Sequence, residues 1–185
     1  MNTSKSILVA ALVALSLSAC NNQPTTAPGA ETPASTAQAA PADPNAINTA
    51  IPPEAFKVKL SIEGQPAVAA DGSNAVYTLK VENLGSANLY GVGTTAVNLG
   101  AQILGTDNSA ETTNGGVRDF SRTPLPLILA GQSVSLPVTI SADDRLNGRQ
   151  IRFSLVQESV TWHDDSAVDV AALPVASGKF APAAQ

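Results

Sequence analysis

The chain has 185 residues, with 10 Lys and Arg, 15 Asp and Glu, one His and one Cys. A net charge of −5 and a pI near 4.7 argue against a nucleic-acid partner, because such binding needs clustered cations to displace phosphate counterions. One cysteine excludes an internal disulfide framework and any multi-cysteine metal site, and the length suits one domain with attachments.

Residues 1–20 read MNTSKSILVAALVALSLSAC. Lys5 supplies a positive start, and Ile7 to Ala19 is uncharged, apolar and small. That stretch suits a signal-peptide core and falls short of the ~20 residues that a spanning helix needs. Leu17-Ser18-Ala19-Cys20 resembles the bacterial lipoprotein lipobox. The resemblance implies cleavage between Ala19 and Cys20, a diacylglycerol on the Cys20 thiol and an acylated amino group on the same residue. The competing reading is an ordinary secretory signal containing a chance cysteine. No second hydrophobic span follows, so the resemblance implies palmitate-type acyl chains as the sole membrane anchor, each buried methylene contributing ~0.8 kcal/mol. Asn21 stands where an Asp would favour retention in the inner membrane in the enteric lipoprotein pattern. The expected location is therefore the cell envelope, at the cell outer membrane.

Residues 20–53 form the expected lipidated N-terminus and linker. Pro and Ala dominate residues 21–53, Glu31 and Asp43 are the only charges, and Ile47 and Ile51 the only large apolar side chains. Such a segment buries too little surface to offset its ordering entropy. A disordered tether is expected, holding a folded module away from the lipid.

After Pro53 the pattern switches to period two. Val58, Leu60 and Ile62 form the first alternating set, and Tyr77, Leu79 and Val81 the second. Val97, Leu99, Ala101 and Ile103 follow, then Val134, Leu136, Val138 and Ile140. Ile151, Phe153 and Leu155 precede a last pair, Val168 and Val170. Alternation of this kind marks strands with one buried face. Turn residues separate the sets at Asp71-Gly72-Ser73-Asn74, Thr113-Asn114-Gly115-Gly116 and Asn147-Gly148. Six or seven strands predict an all-β antiparallel sandwich over 54–175, with 176–185 as a flexible tail. Pro137 interrupts a strand pattern and predicts an edge or a bulge.

Several segments share a second resemblance. They are Val81-Glu82-Asn83-Leu84-Gly85-Ser86, Val97-Asn98-Leu99-Gly100, Arg122-Thr123-Pro124-Leu125-Pro126, Leu129-Ala130-Gly131-Gln132-Ser133-Val134 and Phe153 through Trp162. In this order they resemble the immunoglobulin-like domain appended to glycosyltransferases and methyltransferases of bacterial surface-polysaccharide assembly. The resemblance spans roughly 55–173 and implies an immunoglobulin-like fold. His163 departs from the Phe of that pattern, and Ala130 from its Pro. No catalytic domain is expected beside the module.

Candidate chemistry is sparse. Trp162 reads as a packing residue of the core, or alternatively as a platform for the apolar face of a sugar. Arg122 and Glu158 read as an ion pair fixing a loop to a strand, or as a polar ligand site. His163-Asp164-Asp165 carries metal-ligand types, but consecutive strand residues alternate faces. Asp71 and Asp107 sit in turn sequences that lack the oxygen set of a calcium loop. Gly91-Val92-Gly93-Thr94-Thr95-Ala96 fits the spacing of a dinucleotide fingerprint without its strand–helix context. No catalytic residue, metal site or cofactor is expected. The expected function is a lipid-anchored envelope protein presenting a non-catalytic binding or spacer module to an envelope polysaccharide or an envelope protein. The alternatives are an accessory subunit docking onto a surface-polysaccharide assembly or export enzyme, and, less favoured, an enzyme.

Overall fold

A computed structural model describes residues 48–111 and 120–181. The signal peptide, Ala19, Cys20, the linker up to residue 47, the 113–116 turn and residues 182–185 lie outside the described residues. Residues Ala40–Gln185 form one compact unit.

The unit is an antiparallel β-sandwich. Its strands are β1 (Val58–Val68), β2 (Asn74–Asn83), β3 (Val97–Leu104), β4 (Ser121–Pro124), β5 (Ser133–Ser141), β6 (Gln150–Gln157) and β7 (Thr161–Ala171). One sheet has the order β1-β2-β5 and the other β4-β3-β6-β7. All six alternating sets of the sequence fall in strands. The short β4 carries no apolar alternation and was expected only as a motif segment.

The inward residues of each strand are the apolar ones. Leu79, Val81, Leu99, Ala101, Ile151, Phe153 and Leu155 are wholly buried in one cluster drawn from both sheets. The Tyr77 and Phe153 rings meet across the core with centres 5.4 Å apart. Burial of such side chains contributes ~25 cal/mol per Å² of apolar surface. Pro137 sits opposite Thr78 on β5, an edge strand of the three-stranded sheet. A residue with no N–H is tolerated there, and it also blunts an open edge against further pairing.

Asn83, 1% exposed, pins the end of β2 to its surroundings. Its Nδ2 donates to the carbonyls of Ala87 (2.8 Å) and Ile128 (3.1 Å), and its Oδ1 accepts from the Gly85 N–H (3.1 Å). Gly85 is obligatory beside it, since a Cβ there would lie 2.1 Å from the Ala55 carbonyl oxygen.

Both boundaries of the folded part differ from those read in the sequence. The composition reads 48–53 as linker, but Asn48 Oδ1 accepts from the Thr94 N–H (3.1 Å) and the Thr49 carbonyl from the Thr95 hydroxyl (3.2 Å). Ile51 packs against the core. At the other end, the expected tail from 176 begins inside a hairpin of β8 (Val175–Ala176) and β9 (Lys179–Phe180). Its two turn residues, Ser177 and Gly178, both have positive φ (53° and 68°), the backbone that a tight two-residue hairpin requires. Phe180 is 3% exposed, and its N–H donates to the Gly72 carbonyl at 2.9 Å.

Phe180→Ala is therefore expected to destabilise the domain by about 3–5 kcal/mol, the range for emptying a buried aromatic site. Denaturant unfolding checks this; an unchanged midpoint would return these residues to a tail.

Candidate functional site

Register places the motif residues on the outer face of the four-stranded sheet. Pro124, Asn98, Val156 and Trp162 are directly paired across β4, β3, β6 and β7. Arg122, Gly100 and Ser154 form the next row. Trp162, read first as a packing residue of the core, is instead half-buried on this outer face. The inner position beside it belongs to His163, paired with Leu155.

Trp162 lies over the backbone of Gly100. A Cβ at position 100 would fall 2.6 Å from the ring atoms Cη2 and Cζ3, so the ring reaches across β6 only because β3 has no side chain there. The Arg122 guanidinium carbon is 5.6 Å from the Trp162 ring centre, within reach of a cation–π attraction. Arg122 Nη1 donates to Glu158 Oε1 (2.6 Å) and Oε2 (2.7 Å). The Asn98 Nδ2 donates to the same carboxylate. The expected ion pair between Arg122 and Glu158 thus exists, tying β4 to the turn after β6. Asn98 is the partner that sequence reasoning missed, although the alternation in Val97-Asn98-Leu99 already puts it on the polar face.

The lower part of the same face is closed by charge pairs. Arg152 makes two parallel hydrogen bonds to Asp169, at 2.8 and 2.7 Å, a geometry that holds the pair more firmly than a single contact. The Ser154 hydroxyl donates to Asp164 Oδ1 at 3.1 Å. The register that pairs Leu155 with His163, continued by one residue, sets Asp164 opposite Ser154, and the strand shifts only beyond that point, toward the Phe153–Val168 pair.

His163 points inward and stacks on Phe56 with ring centres 3.5 Å apart and planes 5° from parallel. Its Nε2 is buried without a partner. Burial pushes the imidazole below its ordinary pKa, against the opposing pull of the Asp165 and Asp164 carboxylates. Among the described residues no cluster of three or more His, Cys, Asp or Glu could hold a metal ion. Asp71 Oδ1 accepts from the backbone N–H of Ser73 (3.0 Å) and its hydroxyl (2.8 Å), and Asp107 does the same with Ser109. Both carboxylates are turn-formers, and these hydrogen bonds hold both below the usual carboxylate range. The Gly91–Ala96 segment leads into β3, not a helix. Gly91 is needed because a Cβ would lie 2.3 Å from the Leu125 carbonyl oxygen.

No protein-family model and no curated protein matches this chain.

Gly100→Ala is expected to lift the Trp162 ring off the sheet. Its fluorescence, the only tryptophan emission in the chain, should shift to the red while the circular dichroism of the sandwich is retained. An unmoved spectrum would mean that the ring does not rest on Gly100.

The His163 environment sets a pH dependence. The folded pKa lies below the unfolded value of ~6.5, so the unfolded chain binds more protons in that window. The stabilising contribution is complete above the unfolded pKa and is lost as pH falls through the folded pKa. The melting temperature should fall between about pH 7.5 and pH 5.5, before most carboxylates titrate. His163→Phe keeps the stack on Phe56 and should flatten the melting profile over that interval.

Proposed function

We propose that the protein is a lipid-anchored component of the cell envelope, held at the outer membrane through Cys20, whose β-sandwich is a non-catalytic binding module of immunoglobulin-like type. The binding face is the outer surface of the β4-β3-β6-β7 sheet, and its ligand class is an envelope polysaccharide. The observation that carries this reading is the position of Trp162. A half-buried aromatic side chain on an outer face, seated over a glycine with the Arg122 guanidinium 5.6 Å from its ring centre and with Glu158 bound by both Arg122 and Asn98, combines apolar and polar groups on one surface. Sugars present the matching pair of surfaces, C–H faces and hydroxyl edges. The sequence resemblance to modules of surface-polysaccharide enzymes supports the same ligand class. Fold alone does not assign it.

No helix among the described residues is long and apolar enough to cross a membrane, and the anchor reading rests on the lipobox resemblance. Radiolabelled palmitate should enter the full chain and not Cys20→Ala, which should persist as uncleaved precursor. Envelope polysaccharide in a native gel should retard the Ala40–Gln185 unit. Trp162→Ala should lose the retardation while still folding. Turnover of the polysaccharide that disappears in His163→Ala would place the protein among enzymes instead.

A further inference from the structure

The two ends of the sandwich differ sharply in chemistry. At one end lie loops 84–96, 125–132 and 158–160, together with the strap 48–57 through which the chain enters β1. These segments are bonded to one another: Leu84 N–H to the Lys57 carbonyl (2.8 Å), Gly91 N–H to Leu125 (2.9 Å) and Glu158 N–H to Ala96 (2.9 Å). Every exposed large apolar side chain among the described residues sits here: Leu84 (60% exposed), Val92 (60%), Leu127 (59%), Leu129 (40%) and Val160 (46%). A groove of about 360 Å³ lined by Ile51, Pro52, Ala87 and Tyr90 lies at the same end.

Charge is almost missing there. The strap contributes Glu54 and Lys57, and the loops contribute only Glu158, which is already bound to Arg122. The segments at the opposite end carry Asp71, Asp107, Asp143, Arg145 and Lys179, among others, and among the described residues there no large apolar side chain is exposed.

We infer that the charge-poor end is a lipid-contacting surface that lowers Leu84, Val92 and Leu127 into the interfacial layer of a bilayer. The inference rests on the lipid-anchor reading for its orientation. The chain that leads back to Cys20 enters the folded unit at this same end, through the strap that begins at residue 48. Extended, residues 21–47 would span up to ~90 Å, so the anchor alone does not hold the module against the membrane; the loops supply the contact. With so few cations, the contact is driven by apolar burial and not by attraction to anionic headgroups.

The test uses the Ala40–Gln185 unit, which lacks Cys20, in flotation with vesicles of neutral phosphatidylcholine and with vesicles containing an added anionic lipid. The unit should float with both, to the same extent at low and high salt. The double variant Leu84→Ser, Leu127→Ser should lower the vesicle partition coefficient at least about tenfold, as expected for withdrawing two leucines from an apolar phase, with an unchanged melting temperature because both side chains are exposed. No flotation would overturn the inference, as would binding that needs anionic lipid and is lost in salt. A concentration-dependent dimer in sedimentation, abolished by the same double variant, would assign the surface to a second copy of the chain. Palmitate labelling reports on Cys20 alone, so the two readings succeed or fail separately.

Discussion

Closing the ends of the core is the constraint on which this structure depends. Two facing sheets bury their inward side chains, but the sandwich remains open above and below. The chain has only four Phe, two Tyr and one Trp, and two of these, Tyr90 and Trp162, lie outside the core cluster. Phe153 and Tyr77 fill the middle of the core. Phe56, brought in by the strap before β1, and Phe180, brought in by the hairpin after β7, join the same buried cluster. Both capping residues come from segments that flank the strands. The folded unit therefore extends further at each end than the alternating pattern does.

Close backbone approach is the second organising feature. Gly85 admits the Ala55 carbonyl, Gly91 admits the Leu125 carbonyl, and Gly100 admits the Trp162 ring. Each glycine fixes a different layer: the strap against the β2 end, the 84–96 loop against the 125–132 loop, and an aromatic platform against the sheet. Asn83 and Glu158 complete these junctions with hydrogen bonds that no apolar residue could supply. The recurring motif residues thus have mechanical reasons for their identity, independent of any ligand.

The outer face and the apolar end would divide the work of a tethered module. Hydrogen-bonded polar groups are concentrated beside Trp162, while the loops around Leu84 and Leu127 carry exposed hydrocarbon without charge. Before the bulge in β7, ordinary alternation points His163 inward onto Phe56 and Asp164 outward onto Ser154.

Period-two alternation alone determined the all-β class and the six longest strands, because a strand's two faces meet different solvents. Turn composition marked most of the connections between them, and Pro137 marked an edge. Local sequence could not reveal β4, whose four residues are held by pairing to β3 and not by apolar alternation. It also misread 176–180, because the burial of Phe180 depends on the distant Gly72 turn. The pairing of Arg122 with Glu158 could be foreseen from charge, but the role of Asn98 and the outward position of Trp162 could not. Those depend on a register across four strands, and register is decided by which side chains fit together once the sheets have met.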